Sequence, residues 1–212
     1  MRRRDGGVHD GVVSEHIMQL FDTSLSVAES LSTFVCDGLR DGDTVLMVIT
    51  PQHWDLTTEH LAKRGCFIDE ALADGRLIVR DAASTLATIA RNGQPDADLF
   101  EARIGALLRG LHRPGVRIRI YGEMVDLLAH EGLFASVQRL ETLWNDLTHR
   151  ESVTVCCGYL AHHFGDPRSG PALDRICRLH DHIDNKPSDR LAAWLLAARP
   201  GLDHSDAGLP LD

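Results

Sequence analysis

Residues 44–50 read TVLMVIT, an uncharged run in which β-branched residues recur. A strand covered on one face alternates apolar and polar side chains. A run with no polar face predicts a strand buried on both sides, as in a parallel sheet between helices. Upstream, LRDGD at 39–43 supplies the turn into it. Downstream, Pro51 opens a helix that runs through Leu56, His60 and Leu61 to Gly65.

The same alternation extends in both directions. HIMQLF at 16–21 reads as a strand, and Asp22, Thr23 and Ser24 offer N-cap chemistry. Val27, Leu31, Phe34, Val35 and Leu39 then recur at helical spacing until Gly38 and Arg40–Asp43 end the helix. Beyond Gly65, Ile68–Ala73 makes a short helical turn, Arg76–Arg80 a strand and Ala83–Arg91 a helix. Asn92, Gly93 and Pro95 form a turn, Asp98–Leu111 a helix and Val116–Tyr121 a strand. Helices follow at Met124–His130 and Leu133–His149, then a strand at Val153–Tyr159. The end of the chain reads as helices over Pro171–Ile183 and Ser188–Arg199. This order predicts an α/β fold of three layers, with a mostly parallel sheet, helices on both faces and right-handed crossovers. It divides the chain into a flexible leader at 1–14, one domain at 15–185, and a C-terminal helix and tail at 186–212.

Composition narrows the function. The 212 residues suit one domain, and a net charge of −9 disfavours direct binding to nucleic-acid phosphates. No apolar run is long enough to cross a bilayer, and the N-terminus lacks the apolar core of a secretory signal. Five cysteines, an odd number set within apolar segments, point to reduced thiols and a cytoplasmic setting.

In nucleotide-binding units of the RecA/KaiC kind, a Gly-rich loop ending in Lys-Ser/Thr follows the first strand and cradles phosphates. Here that position reads FDTSLSVAES (21–30), with no glycine or lysine and with two carboxylates, Asp22 and Glu29. The layout of such a unit remains and its ATP chemistry does not: a degenerate RecA/KaiC-like fold.

A set of motifs then resembles one family. They are EHIMQLFD (15–22), FVCDGLRDGDTVLMVITPQH (34–53), DGRLIVRDAASTLATIARNGQPD (74–96), RIRIYGEMVDLLAHEG (117–132), RLETLWNDL (139–147), VCCGYL (155–160) and ICRLHDHI (176–183). In this order, with GEMV and LETLWN the most specific, the chain is similar to the MEDS domain, the sensory region of DcmR-type regulators. The resemblance implies a non-catalytic domain that binds a small molecule or signal and passes it to a partner regulator or kinase. It names neither ligand nor cofactor. The unit would act through that partner or as a homo-oligomer.

Ligands of open α/β sheets sit beyond the carboxyl ends of the strands. The loops there contribute Asp22, Thr50, His53, Trp54, Asp81, Tyr121 and Glu123 as candidate ligand-binding residues. Glu123 suits a cation or polar ligand, or else the favourable charge of a first helical turn. His16, in the EHI motif, is a ligand, a titrating switch or a structural imidazole. Cys177, His180 and His182 form C-x2-H-x-H, near His162 and His163, and suit zinc or a softer metal in a metal- or redox-responsive regulator. A residual nucleotide-binding enzyme is the remaining alternative. Cys156 and Cys157 are adjacent in a strand, point to opposite faces and read as small buried hydrophobes. Trp144 reads as core. No G-x-S-x-G elbow is present.

Overall fold

A computed structural model describes residues 14–198. In chain order the elements are β1 (Glu15–Phe21), α1 (Ser24–Arg40), β2 (Thr44–Ile49), α2 (Pro51–Lys63), α3 (Asp69–Ala73), β3 (Leu77–Asp81) and α4 (Ala82–Thr88). A two-stranded ribbon, β4 (Ala90–Arg91) and β5 (Gln94–Pro95), leads into α5 (Ala97–Phe100), which continues through a π-turn at Glu101–Gly105 into α6 (Ala106–Leu111). Then come β6 (Ile118–Gly122), α7 (Met124–His130), α8 (Phe134–Glu151) and β7 (Thr154–Leu160). After two 3-10 turns, at Ala161–Phe164 and Pro167–Ser169, the chain closes with α9 (Gly170–Cys177), β8 (His182–Asn185) and α10 (Arg190–Ala197).

Six strands form one sheet in the order β3-β2-β6-β7-β1-β8, parallel at every pairing. All six residues of β2 are buried. Val45, Met47 and Ile49 join the core under α1 and α2, with Val27, Leu31 and Leu61. Leu46 and Val48 join the larger core on the other face, with Leu140 and Trp144 of α8 and Ile176 of α9. Two apolar cores on one sheet give the three layers and explain why TVLMVIT lacks a polar face.

Local sequence sets the ends of several elements. Thr23 caps α1 by accepting from Ser26 N, and Pro51 begins α2. Gly38 lies inside α1 rather than at its end. A Cβ there would stand 2.7 Å from Val45 Cγ2, so it is the close approach of α1 to β2 that calls for glycine. Gly42, at φ 81°, makes the turn itself. At the amino ends of the strands, Asp43 is buried, accepts from Arg117 Nε at 2.9 Å and pairs with Arg119.

Two assignments change. The helix expected through Arg91 stops at Thr88, because Asn92 and Gly93, at φ 54° and 75°, form a hairpin turn that pairs Ala90–Arg91 with Gln94–Pro95. The helix expected over Pro171–Ile183 ends at Cys177, and His182–Asn185 add a sixth strand beside β1. The switch is fixed by hydrogen bonds to β1: Asp181 N donates to His16 O at 2.7 Å, and His16 N donates to Asp181 Oδ2 at 2.9 Å. The expected leader at 1–14 lies outside the described residues except for residue 14; of the segment expected at 186–212, residues 186–198 are described and include α10, and 199–212 lie outside them. Among the described residues no helix is long and apolar enough to cross a membrane.

Candidate functional site

Four of the expected ligand residues meet at the carboxyl edge of the sheet. Glu123, buried at the start of α7, accepts from Thr50 N and Thr50 Oγ1, both at 2.8 Å, on Oε2. Its Oε1 accepts from His53 Nδ1 at 2.8 Å and from Tyr121 OH at 3.1 Å. The other ring nitrogen of His53 lies 2.9 Å from Ser24 Oγ. A hydroxyl, an imidazole and a carboxylate thus stand in line, joining the first turn of α1 to the first turn of α2 and the end of β6. This is the order of a nucleophile, a base and its orienting acid, although Glu123 is shared with three other donor groups. Burial pushes the His53 pKa down, but the hydrogen bond and charge of Glu123 outweigh it and hold the imidazole above its ordinary value. Burial and the Glu123 charge hold the Tyr121 phenol well above its usual range.

The other edge residues are placed differently. Asp22 accepts from Leu191 N and Ala192 N of α10, both at 2.9 Å. Only Asp22 and Thr23 separate β1 from α1, so where a phosphate loop would cradle an anion, a carboxylate of the chain is itself held by helix amides. Asp81 caps α4 through Ser84 N at 2.7 Å, and the Ser84 hydrogen bonds lower its pKa. Trp54 is half-buried against the α1–α2 core.

His16 belongs to a second, separate group. With Glu141, Cys157 and His180 it forms a cluster whose ligand atoms lie within 4.8 Å of one another. The structure does not bring Cys177, His180 and His182 together. Cys177 ends α9 beside Met18, while His182 sits half-exposed on edge strand β8, 3.4 Å from Glu15. Cys156 and Cys157 do face opposite ways, with Cys156 donating to Gln19 Oε1 at 3.4 Å. Cys157, however, is no plain hydrophobe, since its thiol donates to Glu141 Oε2 at 3.2 Å. Burial and the Glu141 charge raise the Cys157 pKa well above the thiol range. Burial pushes the Glu141 pKa up, but the His180 and His16 imidazoles outweigh it and leave the carboxyl below its ordinary range.

A third feature lies just after β7. A cavity of about 540 Å³ is lined by His130, Phe134, His162, His163, Asp166 and Arg168, among others. His163 Nε2 stands 3.2 Å from Asp126 Oδ1, which also accepts from Leu160 N at 2.8 Å. Burial and the neighbouring His163 lower the His162 pKa.

Sequence reasoning did not single out Ser24, Glu141, Cys157 or Asp126 as site residues. Glu141 left one signal: it sits in the apolar stripe of α8 with Val137, Leu140, Trp144 and Leu147, where a charge is out of place unless paired.

Comparison with solved structures shows the fold. A KaiC-like protein from Pyrococcus horikoshii OT3 is similar over 70% of this chain and 62% of that one, at 14% identity and a TM-score of 0.50. The flagellar accessory protein FlaH from Methanocaldococcus jannaschii aligns over 82% of this chain and 71% of that one, at 13% identity and a TM-score of 0.47. The chain thus spans about three-fifths of the length of the KaiC-like protein. No curated protein matches it in sequence. The profile of one family, described as MEDS, the MEthanogen/methylotroph, DcmR Sensory domain, matches residues 15–181, and this chain belongs to that family.

Proposed function

We propose that this sensory domain binds a small molecule in the cavity after β7 and passes the bound state to a partner protein, without catalysing a reaction. The cavity itself carries the reading. At about 540 Å³ it falls within the range of small-molecule sites, and it lies past the carboxyl end of a parallel strand. Its lining mixes Ala129 and Phe134 with three imidazoles, which suits an apolar body bearing one or two hydrogen-bonding atoms. An occupant touching His163 acts on Asp126 and so on α7, the helix that Glu123 precedes. Differential affinity for two arrangements of α7 is what converts occupancy into a signal. The family relationship supports a regulator or kinase as the partner. Exposed Leu25 and Trp194, one beside Ser24 and the other on α10, are apolar surface suited to it.

Differential scanning fluorimetry of the full chain against short-chain alcohols, amines and carboxylates tests the reading. A saturable rise in melting temperature for one class, lost in His162→Ala and Phe134→Ala, supports it. Binding that ignores both substitutions, or no binding at all, overturns it.

A further inference from the structure

Between the sheet and α8, the ligand atoms of His16, Glu141, Cys157 and His180 lie within 4.8 Å of one another. His16 and Glu141 are fully buried, as is the side chain of His180. We propose that these four side chains form a tetrahedral site for one divalent transition-metal ion, zinc in the first place.

The spacing fits. His16 Nε2 is 3.2 Å from Glu141 Oε2 and 3.5 Å from Cys157 Sγ. Cys157 Sγ is 3.2 Å from Glu141 Oε2, and His180 Nε2 is 3.4 Å from Glu141 Oε1. Bonds of about 2.0–2.3 Å to a tetrahedral zinc ion place neighbouring ligand atoms roughly 3.3–3.8 Å apart. His16 Nε2, Cys157 Sγ and Glu141 Oε2 therefore already stand close to three corners of that tetrahedron, and the cluster's ligand atoms, His180 included, lie within 4.8 Å of one another, so a small ring movement brings in the fourth.

The surroundings orient the donors. His16 Nδ1 donates to Leu179 O at 3.0 Å, and His180 Nδ1 donates to Ile176 O at 2.9 Å. Both rings thereby turn Nε2 inward, the outer-shell arrangement of metal-binding histidines. Tyr159 OH donates to Glu141 Oε1 and fixes the carboxylate. His180 Nε2 is buried and makes no hydrogen bond among the described residues. It stands 3.4 Å from Glu141 Oε1, a contact without hydrogen-bond geometry, so the nitrogen is left aimed into the cluster. Charge also balances: a divalent ion with one thiolate, one carboxylate and two neutral imidazoles is neutral, as full burial requires. Binding releases the Cys157 thiol proton, and any proton on either Nε2, to solvent.

The ligands come from β1, α8, β7 and the segment between α9 and β8, so the ion would join the two ends of the domain. The site does not depend on the cavity after β7, and either reading can fail alone.

The test uses the full chain, expressed without a metal-binding tag and refolded with zinc or cobalt, since a buried ion enters on folding. Elemental analysis is expected to find one ion per chain. The cobalt form should show a near-ultraviolet thiolate charge-transfer band and the visible absorption of a four-coordinate ion. Cys157→Ser should abolish the band, and His180→Gln should lose the ion or shift the visible absorption. Cys156→Ser and His182→Ala should retain both. Because Cys36 and Cys66 are neighbours, the band must also persist in Cys36→Ser/Cys66→Ser, a check that leaves the proposed ligands in place. Wild-type protein that refolds without taking up either metal overturns the proposal. So does a band that survives Cys157→Ser or disappears in Cys36→Ser/Cys66→Ser.

Discussion

Glu123 carries an unusual load for one side chain: a main-chain amide, two hydroxyls and an imidazole all depend on it. Glu123→Ala strands all four groups in a buried place. A loss of about 3–5 kcal/mol in urea-monitored stability is expected, with Glu123→Gln costing less because it keeps an acceptor oxygen. His53 adds a pH dependence. Its folded pKa is raised, so its contribution is complete below the unfolded value of about 6.5 and fades as pH rises through the folded value. The charged groups acting on it are Glu123 and Asp126. Wild-type melting temperature should therefore fall more steeply than that of His53→Gln across this window. Thr50, His53, Tyr121 and Glu123 were legible because each lies at or just past the end of a strand run, where open α/β sheets build their sites. Ser24 was not, since nothing in one sequence says which residue of a neighbouring loop an imidazole will reach.

Elements were legible where the pattern was long. β2 and α8 could be read from residue type alone, because six buried positions or an 18-residue stripe leave little choice. β8 could not: HIDN has four residues, and its pairing with β1 decides its state. The same miss hid the histidine cluster, since a helix through Ile183 would have sent His180 elsewhere. Two substitutions probe elements. Gly38→Ala pushes a methyl into Val45 and should cost about 1–3 kcal/mol by equilibrium unfolding, as overpacking does. Asp22→Ala removes acceptors from two amides at the start of α10. It should cost about 1 kcal/mol, with hydrogen exchange rising first in residues 190–197.

At the scale of the molecule, the sheet has two edges, β3 and β8, and β8 covers the otherwise open side of β1. A chain ending at residue 181 lacks β8 and α10 and leaves the seven-residue β1 as an uncovered edge. Such edges pair with one another, so light scattering should show self-association that the longer chain does not undergo.

The neighbours across that final pairing are far apart in time as well as in sequence. His16 and Asp181, hydrogen-bonded through the backbone, are separated by 165 positions. Synthesis proceeds from the N-terminus, so β1 is made well before both of its partners, β7 and β8. β1 has no partner until β7 is made and stays half-paired until β8 follows, and loop closure over such a span slows folding. A nascent chain that stalls late in translation would present this unfinished edge. That makes the interval between the synthesis of β7 and that of β8 the one in which chaperone protection of this edge matters most.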